Sequence, residues 1–154
     1  MKRALLALAF VTSLALGYAV HAQVQALQRP YSNGTVWTLG FIRMEPGMDV
    51  AYLNYVASEW KREQEALKKE GLILSYKVLQ TEDHGPDDWN LILMTEVKDL
   101  ATLEATDKKT EAIAVQLVGG DAKMQQGFQD RLKIRRIIGN RLAREIVLAA
   151  KPST

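Results

Sequence analysis

The chain has 154 residues, no cysteine, and 20 basic against 18 acidic residues, for a formal net charge of +2. That length implies one domain with a real core. The missing cysteine excludes a disulfide framework, a thiolate metal centre and a lipoprotein anchor, and the near-balanced charge gives no argument for nucleic acid as a partner.

Residues 1–22 have the order of a cleavable secretory signal: a basic start at Lys2 and Arg3, an apolar run over 4–17, then Val20-His21-Ala22 with small residues where a signal peptidase reads. The run is shorter than the about 20 apolar residues that span a bilayer. The expectation is cleavage before Gln23, export to the periplasm or medium, and no stable membrane anchor afterwards. Lys2 and Arg3 are two of the 20 basic residues, so 18 bases then face 18 acids, and His84 is the one histidine left. Residues 23–34 read as a flexible leader.

Residues 35–44, rich in β-branched and aromatic side chains and followed by Pro46-Gly47, predict a first strand. Asp49 is placed to cap a helix over 50–70, with Met48 and Leu53 at hydrophobic-staple spacing. Leu53, Val56, Trp60 and Leu67 recur at helical intervals, and Gly71 supplies a left-handed stop. Strands follow over 72–81 and 89–97, joined by an acidic turn around Gly85-Pro86. Asp99 caps a second helix to Val118, Gly119-Gly120 breaks it, and Asp121 caps a third that runs to Gly139. A last strand covers 141–150, and 151–154 form a tail. The order β-α-β-β-α-α-β over 35–150 is an α+β, ferredoxin-like arrangement with an antiparallel four-stranded sheet and its second helix broken in two.

Helices in that arrangement cover one sheet face, and a monomer should be polar on the other. The strands instead set Leu72, Leu74, Tyr76 and Val78 against Ile73 and Leu79. They set Trp89, Leu91 and Leu93 against Ile92 and Met94, and Leu142, Ile146 and Leu148 against Val147. Two apolar faces require a cover, and a second copy of the chain is the simplest one.

A strand ending at Pro46-Gly47, a capped helix carrying Tyr52, Tyr55 and Trp60, the run Glu70-Gly71-Leu72-Ile73-Leu74-Ser75-Tyr76, and Asp87-Asp88-Trp89-Asn90-Leu91 together resemble the dimeric α/β-barrel superfamily. Its members include antibiotic-biosynthesis monooxygenases and EthD-like and NIPSNAP-like proteins, and the chain looks most like small exported bacterial members of unassigned activity. The resemblance implies a homodimer in which two sheets pack face to face into an α/β barrel. It does not carry over the residues of the haem-degrading members, because the first strand has no Asn and His84 falls in a loop beside Pro86.

Candidates for chemistry are few. Glu82, Asp83, His84, Asp87 and Asp88 crowd one loop, but their spacing matches no zinc or calcium signature, so neither a metal site nor a cofactor is assigned. Ser32, Ser58 and Ser75 lack a nucleophile-elbow context, and Gly119-Gly120 lacks the Lys and hydroxyl of a phosphate loop. The aromatic set Trp37, Tyr52, Tyr55, Trp60, Tyr76 and Trp89 is the better lead, with Arg43, Glu59 and Lys77 as charges inside apolar patterns. From it comes a predicted ligand pocket of Trp60, Tyr76, Trp89 and Arg43 for a small, partly aromatic organic molecule. Arg131 and Arg135 are expected on one helix face beside Arg136, either solvated or paired with the acidic segment 80–111, with an anionic ligand or cell-surface polymer as the functional alternative. The leading functional expectation is an exported small-molecule-binding homodimer. A cofactor-independent monooxygenase-like enzyme is the alternative, with Glu59 and His84 as candidate acid or base, and a structural or stress-related role is the third.

Overall fold

A computed structural model describes residues 29–82 and 84–149. The expected signal at 1–22 and tail at 151–154, and Asp83 of the acidic loop, lie outside the described residues. Asn33–Val147 form one compact unit. The other described residues, 29–32 and 148–149, belong to a second unit, in which the Ala149 N–H donates to Pro30 O at 2.8 Å.

The elements are strand β1 (Tyr31–Met44), helix α1, strands β2 (Ser75–Gln80) and β3 (Leu91–Val97), helices α2 (Leu100–Val118) and α3 (Asp121–Arg131), and strand β4 (Arg135–Leu148). Helix α1 is continuous through Asp49–Tyr55, a π turn at Val56–Trp60, and Lys61–Lys69. The sheet runs β2-β3-β1-β4, with β3 antiparallel to both β1 and β2. This is the ferredoxin-like α+β order expected from the sequence.

The π turn explains how α1 keeps one face on the sheet. Tyr52, Val56, Trp60 and Gln64 recur every four residues, a spacing that drifts about 40° per step on an ordinary α-helix. The wider π turn rotates each residue by less and takes back that drift. Tyr52, Val56, Gln64 and Leu67 are thereby all buried. Buried Gln64 is satisfied by Thr95, whose hydroxyl donates to Gln64 Oε1 at 2.8 Å.

Alternation along the strands sorts the side chains. Val36 and Val97 join Leu67, Leu72 and Ile73 in one core cluster, and Ile42, Met44 and Leu91 join Tyr52 and Val56 in another. Side chains such as Leu91, fully buried, each contribute roughly 1.5–3 kcal/mol of transfer free energy. Odd-numbered residues of β1 and even-numbered residues of β3 therefore face away from the helices. The end of the β1/β3 ladder is closed by Asn90, which donates its N–H to Ile42 O and accepts from Met44 N–H at its side-chain oxygen, both at 2.9 Å.

Several local expectations change. Strand β1 begins at Tyr31, so part of the expected leader is strand. Leu72 and Ile73 precede β2 and are buried together, because the chain is still turning off α1 and does not yet alternate. Met48 and Gly120 hold the N-cap positions expected for Asp49 and Asp121, which sit instead in the first turn with no capping bond, near the positive helix end. Asp99 does cap, accepting from the Thr102 N–H at 2.7 Å, and Gly71 and Gly119 are left-handed stops. The third helix ends at Arg131, not Gly139, and β4 starts at Arg135. The β-branched Ile134, Ile137 and Ile138 favour the strand there, and the Glu45 N–H donates to Ile134 O at 3.1 Å to dock it. Arg135 and Arg136 consequently share no helix face with Arg131.

Candidate functional site

The four residues predicted as one pocket are divided by the sheet. Trp60 and Tyr76 meet on the helix-covered side, edge to face at 5.5 Å, and the Tyr76 hydroxyl donates to Glu65 Oε1. Trp89 packs edge-on against Phe41 at 5.2 Å, on the opposite side, where both rings border a hollow of 190 Å³ with Ile138, Gly139 and Arg141. Arg43 alternates between the core residues Ile42 and Met44, so it too points away from the helices, and it is 4% exposed. The aromatics at these positions fill two separate regions. Linear spacing could not reveal this, because Trp89 precedes β3 and does not obey its alternation.

The acidic loop is a restrained turn. Arg136 pairs with Glu45 at 2.9 Å and with Asp87 at 3.9 Å, and it donates to Pro86 O. Asp88 Oδ1 accepts from the Trp89 N–H at 2.8 Å, and His84 is exposed.

A larger cleft lies where α1 meets the α2/α3 corner. Its volume is about 470 Å³, within the range of small-molecule pockets. Leu117, Val118 and Met124 supply an apolar lining, and Tyr55, Glu59, Arg62, Glu63, Lys123 and Arg131 supply the polar one. Glu59, the candidate named from the sequence, sits on this cleft but is exposed. Glu63, one turn on, is the half-buried acid. Burial pushes its carboxyl up from the ordinary glutamate range, and the positive charge of Arg131 opposes the shift.

Arg131 lies over the Tyr55 ring at 4.5 Å, and Tyr55 stacks on Tyr52 at 5.7 Å. Arg135, 5% exposed, then lies 5.9 Å from the Tyr52 ring and 5.4 Å from that of Phe128. The stacked Tyr55–Tyr52 pair is thus flanked by Arg131 on one side and Arg135 on the other, with the guanidinium charges partly desolvated and held by ring quadrupoles. Burial raises both tyrosine hydroxyls, with the two arginines opposing it. Arg131 Nε, Arg135 Nε and Arg135 Nη1 are buried and have no hydrogen-bond partner among the described residues. Glu63 and Arg131 were absent from the predicted site. The signal that could have found them is a Glu-x-x-Arg-Glu run on the polar flank of α1 facing a helix that carries a mid-helix glycine.

The fold and cleft define a ferredoxin-like α+β protein with a charged, apolar-backed cavity on its helical side. No family model matches the chain, and no curated protein matches it. Solved structures do. HapK from Hahella chejuensis is similar at 10% identity and TM-score 0.47, over 77% of this chain and 98% of that one. A NIPSNAP family protein of unknown function from Agrobacterium tumefaciens is similar at 14% identity and TM-score 0.48, over 77% and 93%. A dimeric protein of unknown function and ferredoxin-like fold from Bacteroides fragilis is similar at 15% identity and TM-score 0.41, over 73% and 95%.

Proposed function

We propose that this chain is an exported small-molecule-binding protein that works as a homodimer. The observation that carries the binding role is the 470 Å³ cleft, which joins an apolar lining to convergent charged groups. The dimer rests on the open sheet face. Trp37, Leu39, Phe41, Ile92 and Met94 lie there with no helix over them among the described residues, and β4 is exposed along most of its length, including Ile138, Leu142 and Ile146. A long edge strand and an apolar face are both liabilities in an isolated monomer. A second copy, carrying the same face, buries both by two-fold packing. Export rests on the order of basic, apolar and small residues over 1–22.

Native mass spectrometry of the purified protein, before and after denaturation, tests binding and assembly together. A dimer carrying a discrete extra mass that denaturation releases is the expected result. A stable monomer at micromolar concentration by light scattering would end the dimer proposal, and cell fractionation that finds the protein inside the cell with residues 1–22 still attached would end the export proposal.

One observation favours the enzyme reading as the second choice. Proton transfer requires a desolvated acid or base beside the substrate, and Glu63 occupies that position in the cleft, which neither Glu59 nor His84 does. Under this reading Glu63→Gln removes turnover while leaving binding intact.

A further inference from the structure

Resting on the cleft as the binding site, we propose that its ligand is an organic anion with an apolar body, and that Arg131, seated in the gap beside Gly127 and stacked on Tyr55, holds the negative charge.

Charge in the cleft is the first argument. Three bases, Arg62, Lys123 and Arg131, face two acids, Glu59 and Glu63, so the lining is net positive by one. None of the three bases forms an ion pair among the described residues. Arg62 is engaged through Nη2, which donates to Leu117 O at 3.3 Å. Arg131 and Lys123 remain to meet a ligand, and Glu63 feels the charge of Arg131 without bonding to it.

The second argument is independent and concerns the backbone. Gly127 stands in the interior of α3, where glycine costs about 1 kcal/mol relative to alanine. Its φ is not left-handed, so no turn demands it. What a side chain would displace is Arg131: a Cβ at Gly127 would lie 3.0 Å from Arg131 Nη1, tighter than ordinary contact. The glycine therefore leaves open the space in which the guanidinium, one turn further on, sits over the Tyr55 ring at 4.5 Å. Gly127 thus leaves room for the guanidinium where it sits, and the Nε of that cation is buried with no hydrogen-bond partner among the described residues. Guanidinium groups prefer carboxylate and other planar oxyanions, which they bind through two parallel hydrogen bonds. Leu117, Val118 and Met124 then receive the apolar body.

A matched pair of probes, 2-naphthoate and 2-naphthamide, separates this proposal from the one beneath it. The readout is the amide spectrum of the ¹⁵N-labelled protein, with the Gly127 and Tyr55 signals marking the cleft. Expected is naphthoate binding at the cleft at least about tenfold tighter than naphthamide, with Arg131→Gln removing that preference and leaving naphthamide unchanged. Gly127→Ala keeps every charge and favours the helix, so it tests the same point in a folded protein, and it should weaken naphthoate severalfold. Equal binding of both probes at the cleft, unaffected by either substitution, would overturn the anion proposal and leave the binding site standing. No shift of the cleft signals by either probe at millimolar concentration would overturn both.

Discussion

On the helix-covered side of β1, Val36, Ile42 and Met44 are almost wholly buried, whereas Trp37, Leu39 and Phe41, interleaved with them, keep part of their surface. The side chains are of one kind; the surroundings are not. Helix α1 delivers Tyr52, Val56 and Leu67 to the first set, whereas the second meets Trp89, the Lys77 ammonium over the Trp37 ring and the neighbouring strand β4. An apolar pattern thus reports that a face will be covered, not what covers it. The helical side differs again, because there the chain spends polar groups: Gln64, Glu63 and the arginines over Tyr55 and Tyr52 lie on or behind the layer that closes the core.

This contrast can be broken at its strongest point first. Leu91 is 0% exposed at the centre of the second core cluster. Leu91→Ala should cost about 2–5 kcal/mol of unfolding free energy, read from urea denaturation. A loss no larger than that of an exposed residue such as Leu79→Ala would mean that the covered face is not the main core. The open face is tested by Leu39→Glu, which places a charge beside Met94, its register partner. Light scattering should then give a monomer with an unchanged circular dichroism spectrum, a loss of association of about 2 kcal/mol or more. A dimer that survives the substitution puts the interface elsewhere.

Two smaller effects sharpen the helical side. The Asp99 carboxyl is held below its usual range by its bonds from Thr102. A lowered folded value stabilises above the ordinary aspartate value, about 3.9, and that gain disappears as pH falls through the folded one. Asp99→Ala should therefore lower the melting temperature at pH 7, with the difference closing in acid. Glu63 has the opposite sign. Its raised carboxyl means the folded state binds the proton more readily, so stability falls as pH rises from the ordinary glutamate value, about 4.3, through the raised one. Glu63→Gln should match or exceed the unaltered protein at pH 7, and its advantage should shrink in more acid solution. A variant clearly less stable at pH 7 would mean that the charge of Glu63 is held by a partner and is not merely desolvated.

The element order, the cap at Asp99 and the stops at Gly71 and Gly119 were legible from residue types alone, because each depends on near neighbours: a hydroxyl or carboxylate within reach of a free amide, or a backbone that tolerates positive φ. The apolar character of both sheet faces was legible too, since alternation is a property of the strand. The end of the third helix was not, because Arg135 and Arg136 fit a helical face as readily as a strand until Glu45, distant in sequence, docks Ile134. Nor was the site. Trp60, Tyr76, Trp89 and Arg43 looked like one group in sequence, and the sheet sends two to each side, while Glu63 and Arg131 met only when α3 folded against α1. Local hydrogen bonding and periodicity are written into adjacent residues. Which charges share a cavity depends on packing across long separations, and only the tertiary structure decided it.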